Sequence, residues 1–495
     1  MRGTVRRQHA DPAAAGIHRR NGRGIRAVGT TRLNPAVVDS SLAEEGRCGP
    51  LFYCRNGVYH GGMTVEEEIR RRILARSAIT FAEFMGLALF WPGGGYYTGP
   101  DHIGSSGDFY TSPHAHPAFG ALIAVQLHQM WQVMDHPATF TVVELGAGNG
   151  LLCRDITSYA AGLPGDFARS LRYVCLDTLV AGGVERESTR DPGEPTANRL
   201  ASLLSMGPLG GGHRRGIPLR GIKGCLLSNE LLDAFPVHQV TLSQGSLKEV
   251  YVTLTGDVLE YALEEPSTPR LATRLAGLGI TLAEGQTVEI NLGIDDWVDD
   301  AADVLDIGFI LTVDYGRVAS DLYSMDLRPR GTLTTFYRHT QTDSPLQRIG
   351  RQDMTAQVDF TTVMNAGSQA GLETLGFTTQ ARFLANLGLP RLRDRLTALD
   401  LPRSQLAANN TGMLDLARPG GLGDFKVLVQ GKNVGTPVLW GFGEPVSEQA
   451  IALTSNVPML DAGHTPLLEG WYPHADLEFD WDPFSGNDAM GRESS

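Results

Sequence analysis

The feature that most constrains this chain is one stretch, Phe140-Thr-Val-Val-Glu-Leu followed by Gly146-Ala-Gly-Asn-Gly150. An apolar, β-branched run ends in three alternating glycines, and the pattern from Leu151 to Tyr159 then continues as a helix. Glycine lets a backbone turn tightly and approach a ligand without a Cβ clash. Alone, three alternating glycines could be a simple turn between a strand and a helix; here the strand before them and the acids around them give context. Further apolar runs occur at Leu171–Asp177, Gly224–Glu230 and Gly308–Asp314, with a late one from Phe425 to Gln430. Continuous runs of this length suit strands of a parallel sheet buried on both faces. Their alternation with helical patterns predicts a doubly wound α/β layer.

The turn also suggests a ligand. The N-terminus of the following helix presents free N–H groups. Glu144 precedes the turn, and Asp177 ends the next strand, where an acid can accept both hydroxyls of a ribose. The spacing is not that of a dinucleotide fingerprint, because Leu151 stands where the third glycine would be. A carboxylate at Glu144 would repel a pyrophosphate, whereas the ammonium and sulfonium of S-adenosylmethionine welcome negative charge. Glu144, Gly146, Gly148, Gly150 and Asp177 are therefore the candidate cofactor residues, with S-adenosyl-L-methionine as the cofactor. A nicotinamide-dependent oxidoreductase is the open alternative.

Composition narrows the partners. The 495 residues are 42% hydrophobic and 20% charged, enough apolar material for a sizeable core. The formal charge of −13 argues against a sequence-independent nucleic-acid binder. No run of 18 apolar residues occurs, so no membrane-spanning helix is expected. Cys48, Cys54, Cys153, Cys175 and Cys225 are odd in number and widely spaced, and no C-x-x-C occurs. They read as buried small hydrophobes rather than a disulfide framework or zinc site. His114, His116, His238 and His339 lack metal-ligand spacing, and no metal site is expected.

Four regions are expected. Residues 1–62 read as a disordered extension or a start codon assigned too early, since the first 33 carry eight arginines and one acid. That bias resembles a transit peptide but lacks its serines and its amphipathic helix. The location expected is cytoplasmic for a bacterial chain, or the mitochondrial matrix if the start is a transit peptide. Residues 63–135 read as an N-terminal helical and lid segment, opening at Met63 with acids first and arginines after. Residues 136–435 form the core, with a strand-rich insertion at about 237–300 and a loop over 184–222. Residues 436–495 read as an acidic, solvated tail, with ten acids against one arginine from 444 on.

Ser228-Asn-Glu-Leu-Leu-Asp233 ends a strand, where doubly wound sheets place ligands. If the chain turns helical after Asn229, Glu230 and Asp233 lie three apart on one helix face. They would form an acidic pair at the reacting group, or cap a helix N-terminus. Asp314, ending another run, could line the pocket or cap a turn. Tyr96, Tyr97, Asp108 and Thr111, flanked by glycines 93–95 and 107, could fold over the cofactor as a lid.

Read in order, the motifs resemble the MidA-type class I methyltransferases, relatives of the mitochondrial complex I assembly methyltransferase. The resemblance covers roughly 64–435. It runs through Ile79–Phe90, Gly94-Gly-Tyr-Tyr-Thr98, Gly107-Asp-Phe-Tyr-Thr-Ser-Pro113, the glycine turn and Ser228–His238. It continues in Val313-Asp-Tyr-Gly316, Gly331-Thr-Leu, Tyr337-Arg-His339, Val358-Asp-Phe360, Phe383–Gly388 and Gly423–Leu428. It implies a Rossmann-like methyltransferase fold and transfer to an arginine of a partner protein such as a respiratory complex I subunit. Glu230 and Asp233 would be catalytic, and Asn229, Asp108 and Thr111 would join the cofactor residues. A homodimer and a non-catalytic assembly factor also stay open. Two positions depart from the family pattern: His114 stands where a glutamate is usual, and Gln357 where a histidine is usual.

Overall fold

Seven strands build the central sheet of the protein, seen here in a computed structural model. The structure describes residues 62–98, 110–177, 197–198, 217, 219–337, 340–444 and 446–465. Residues 1–61, Asp108, His339 and most of 184–222 lie outside the described residues.

The sheet order is Glu373–Thr379, Lys426–Lys432, Leu305–Asp314, Ile222–Asn229, Phe140–Leu145, Leu171–Leu176 and Ala197–Asn198. Side chains on a strand alternate between faces. Val142, Leu227 and Phe309 join one apolar cluster and Val143, Leu226 and Ile310 the other. Both faces are covered, as continuous apolar runs require. Full burial of one such side chain contributes roughly 1.5–3 kcal/mol.

The chain runs outward from Phe140–Leu145 through Leu171–Leu176, then crosses back to Ile222–Asn229 on the other side. The carboxyl ends of Phe140–Leu145 and Ile222–Asn229 therefore flank the point where strand order reverses, and ligands of open α/β sheets bind there. Leu145 pairs with Ser228 in the register of the two strands.

The late strand departs from expectation. Lys426–Lys432 runs antiparallel to both its neighbours, and Glu373–Thr379, not foreseen from the sequence, closes the edge beyond it. An apolar run fully buried by two layers reads the same in either direction, so direction is set by the connections.

The insertion is a second, antiparallel sheet of His238–Ser243, Ser246–Thr255, Val258–Glu264 and Thr287–Ile290. It ends earlier than expected. Helix Gly293–Val304 packs Ile294, Val298 and Ala301 into the cluster beneath the central sheet. The N-terminal segment is not separate from it either: Ala78–Thr80 pairs with residues 251–253 of the insertion. Helix Val65–Arg76 starts at a capping box of Thr64 and Glu67, and helix Phe81–Phe90 buries Phe81, Phe84 and Met85 beside Val237 and Val252.

The tail is corrected in part. Residues 446–465 pack onto the core rather than standing in solvent: helix Glu448–Leu453 buries Ala450, and Thr454 and His464 are buried. Among the described residues no helix is long and apolar enough to cross a membrane, and no group of three or more His, Cys, Asp or Glu could hold a metal. Cys153, Cys175 and Cys225 are buried and form no disulfide.

Candidate functional site

Two motifs meet at the reversal point. Gly146, Gly148 and Gly150 all take left-handed φ, +75°, +52° and +77°. That region favours glycine. Helix Leu151–Ala160 starts at Gly150, and Asn149 Oδ1 accepts the N–H of Leu151. Asp177 Oδ2 accepts the N–H of Gly148 at 2.7 Å, so this acid and the turn share one point. Gly146 also admits the neighbouring motif, since a Cβ there would lie 3.0 Å from Leu231 Cδ1.

Glu144 behaves differently from the sequence argument. Its carboxyl accepts the Tyr173 hydroxyl at 3.0 Å and lies 3.9 Å from Cys175 Sγ. Burial pushes its pKa well above the carboxylate range, with Cys175 adding to the rise. A carboxyl so shifted carries less charge at the turn than an exposed one would, which weakens the electrostatic preference drawn from the sequence. A nucleoside fits on other grounds: Asp177 at a glycine turn offers the acceptor that ribose hydroxyls need.

The acidic motif is not helical. Glu230 takes φ +52°, and the chain then bends through a turn at residues 233–234. The helix-face pairing and the helix-cap alternative both fall away. Tertiary contacts impose the bend instead. Glu230 N–H donates to Val313 O at 2.9 Å, and Asp314 Oδ2 accepts the N–H groups of Leu231 (3.1 Å) and Leu232 (2.8 Å). Asp314 Oδ1 accepts Tyr315 N–H. Asp314 thus caps the turn and faces the acids as well.

The bend gathers carboxylates. Asp233 is 5% exposed, and its Oδ1 has no hydrogen-bond partner. Asn229 donates from Nδ2 to Glu230 Oε1 at 3.0 Å, while its own Oδ1 is buried without a partner. Burial, with the Asp314 charge adding, pushes Glu230 up to about 8. Burial raises Asp314 to about 7 against the pull of its backbone donors. Asp233 is driven up by burial, then by Asp314, Glu230 and Asp353. Like charges sharing a buried site cannot all ionise freely.

Sequence reasoning missed Asp353, Tyr315 and Thr355. Tyr97 Oη donates to Asp353 Oδ2 at 2.6 Å, and Tyr315 Oη donates to Thr355 Oγ1. The acids at Asp233 and Asp353 raise both phenols further, after burial. Tyr97 therefore stands against the acid cluster. The expected Tyr97 lid over the cofactor turn is not formed by that contact. The one signal for Asp353 was its place just ahead of Gln357-Val-Asp-Phe360.

The remaining candidates flank this cluster. Thr111 Oγ1 lies 2.8 Å from His114 Nδ1, and the next residue, Ser112, points its N–H at Glu230 Oε1, 3.4 Å away. His114 Nε2 and Gln357 Oε1, at the two departures from the family pattern, are buried without partners. Gln357 faces a small cavity lined also by Leu232, Arg274, Glu289 and Tyr323. His116 is buried, its pKa lowered to about 3 by that burial, and His238 bonds Glu249.

Comparison with known proteins agrees with this architecture. Residues 122–181 and 212–378 match the model of a family described as "Putative S-adenosyl-L-methionine-dependent methyltransferase". The chain is similar to the mitochondrial protein arginine methyltransferase NDUFAF7 homolog of Drosophila melanogaster, 26% identical over 77% of this chain and 84% of that protein. Its likeness to the mouse protein arginine methyltransferase of the same name is 28% over 64% and 72%. Among solved structures it resembles a "likely methyl transferase from Burkholderia thailandensis bound to S-adenosyl-homocysteine". That match has a TM-score of 0.65 and 26% identity, covering 78% of this chain and 95% of that one.

Proposed function

Because the chain belongs to the S-adenosylmethionine-dependent methyltransferase family that its ordered motifs resemble, we propose that it methylates an arginine side chain of a partner protein. The cofactor is S-adenosyl-L-methionine, which supplies an electrophilic methyl on a sulfonium. Gly146, Gly148 and Gly150 would let the backbone approach it, and Asp177 would take its ribose hydroxyls. Asn229, and Thr111 at the base of the segment that includes Asp108, would close the site from the other side.

One observation carries the acceptor assignment: the unpartnered Asp233 Oδ1 inside a cluster of Glu230, Asp314 and Asp353. A planar guanidinium, with five N–H donors and a fixed charge, supplies what such oxygens lack. Glu230 and Asp233 would hold it and localise its charge away from one nitrogen. That nitrogen, aligned with the methyl, would form the new N–C bond as the S–C bond to the sulfonium breaks, with S-adenosylhomocysteine as the leaving thioether, and would give its proton to a carboxylate. The names of the relatives support a protein arginine as acceptor. The resemblance of the motifs extends this to a respiratory complex I subunit.

The test is methyl-acceptor profiling. Lysate from a deletion strain would be incubated with the full chain and labelled S-adenosylmethionine, then digested and sequenced by mass spectrometry. The expected product is methylarginine in one or a few proteins. Label confined to lysine, to a small molecule or to no acceptor would sink the arginine reading.

A further inference from the structure

The last described stretch of the chain crosses both halves of the crevice. Tyr159 Oη donates to the carbonyls of Leu453 and Asn456. Leu460 N–H donates to Asn409 Oδ1, the same oxygen that lies 3.1 Å from His116 Nε2. The His464 ring is buried between two acids, with Nε2 2.9 Å from Asp155 Oδ2 and Nδ1 2.9 Å from Asp461 Oδ1. Arg154 pairs with both of those acids. Thr465 N–H donates to His114 O at 2.8 Å.

These contacts have consequences for the site. Asp155 lies near the start of the helix that Gly150 opens, directly behind the glycine turn. His114 lies in helix Ser112–Ala115, whose first N–H faces Glu230. Residues 464 and 465 thus tie the cofactor helix to the segment beside the acidic motif. The family model stops at 378 and the motif resemblance at about 435, so neither assigns this stretch a role.

We infer that His464 is a positioning residue for the cofactor site, holding helix Leu151–Ala160 through Asp155 in register with the Thr111–His114 segment. The inference rests on the assignment of the glycine turn to the cofactor. A hydrogen bond to a buried ionised group is among the strong ones. Without it Asp155, 7% exposed, keeps Arg154 alone as its ionic partner, and the helix start is free to shift. Small misplacements of a binding helix cost affinity and alignment.

The test measures S-adenosylmethionine affinity of the full chain by titration calorimetry, alongside the thermal midpoint. His464→Ala is expected to weaken binding by about tenfold, the loss of one charged hydrogen bond. His464→Gln, which keeps a donor, should recover most of the loss. In kinetics the KM for the cofactor should rise more than that for the acceptor. Arg395→Ala, which removes the donor to the Thr454 carbonyl and loosens the same stretch from outside the cofactor helix, should lower the midpoint and leave affinity unchanged. Wild-type affinity in His464→Ala would overturn the inference, as would equal weakening in Arg395→Ala. If His464→Ala does not fold, Asp155→Asn probes the same contact, and unchanged affinity there overturns it too. A wild-type chain that binds no S-adenosylmethionine would overturn the glycine-turn assignment together with this inference. The wild-type titration, run first, tells the two failures apart.

Discussion

Two groups of buried carboxylates lie in this molecule, and they are treated oppositely. In the N-terminal helices Glu68 is met by Arg71 at 2.7 Å and Arg72 at 2.6 Å, and Glu83 by Arg72 at 2.6 Å and by Arg76. Burial would raise Glu68, but the arginine hydrogen bonds outweigh it and hold it below the usual range. At the crevice, Glu230, Asp233 and Asp314 are raised, chiefly by burial. The acids raise one another, and the donors that lower them are an amide and backbone N–H groups. The first group is electrostatically complete. Among the described residues, the leading influences on Glu230, Asp233 and Asp314 are burial, other acids and neutral donors, and a cationic acceptor would bring positive charge. Carboxylates shielded from water serve structure in the first place, and in the second are proposed to serve recognition.

The largest effect should come from Asp233→Asn. It should lower methyl transfer by roughly 10²–10⁴-fold, the range for a lost acid–base group, with S-adenosylmethionine binding retained in calorimetry. Near-normal turnover would break the contrast at its functional end. Next, Arg72→Ala should cost about 1–3 kcal/mol in urea unfolding, because it leaves Glu68 and Glu83 with the half-exposed Arg71 and Arg76 as partners. Asp233→Asn should instead leave stability unchanged or raise it by about 1 kcal/mol, as it removes a buried charge without a partner. Losses of equal size in the two variants would mean that the crevice acids are structural.

The pH dependence is a subtler probe. Glu230 at about 8 and Asp314 at about 7 bind protons more tightly folded than unfolded. Their contribution is full below the unfolded carboxylate range and is lost as pH rises through about 7–8. The thermal midpoint of the free protein should fall over that window, and Glu230→Gln should flatten the fall. Methyl transfer should rise over the same window as the acids ionise. Glu68 has the opposite sign, since its stabilisation disappears only as pH drops through its lowered value. The smallest effect belongs to the exposed pair Lys223–Asp306, 3.8 Å apart with both side chains about 60% exposed. Lys223→Ala should change stability by no more than about 0.5 kcal/mol, which sets the baseline for the buried networks.

Much of this site is legible in the primary structure because its elements are local. The strand, the three glycines and the helix that follows occupy consecutive residues, and each takes the conformation its type favours. Asp177 could be placed for the same reason, since the end of an apolar run marks the end of a strand. The turn after Asn229 was not legible. Nothing in Glu-Leu-Leu-Asp forbids a helix, and its bend is enforced by Val313 and Asp314, more than 80 residues away in sequence. Tyr97 and Asp353, 256 positions apart, meet where helix Phe81–Phe90 and Tyr96 share an apolar cluster with Met354 and Ala356.

The sequence by itself thus determined the layered α/β class, the glycine turn and the kind of cofactor it serves. These follow from hydrophobic period and backbone freedom, which act over a few residues. Tertiary structure decided the direction of Lys426–Lys432, the burial of Glu144, the gathering of Glu230, Asp233, Asp314 and Asp353, and the anchoring of His464 behind the turn. Each depends on which distant groups share a low-dielectric space, and that is fixed only when the whole chain has packed.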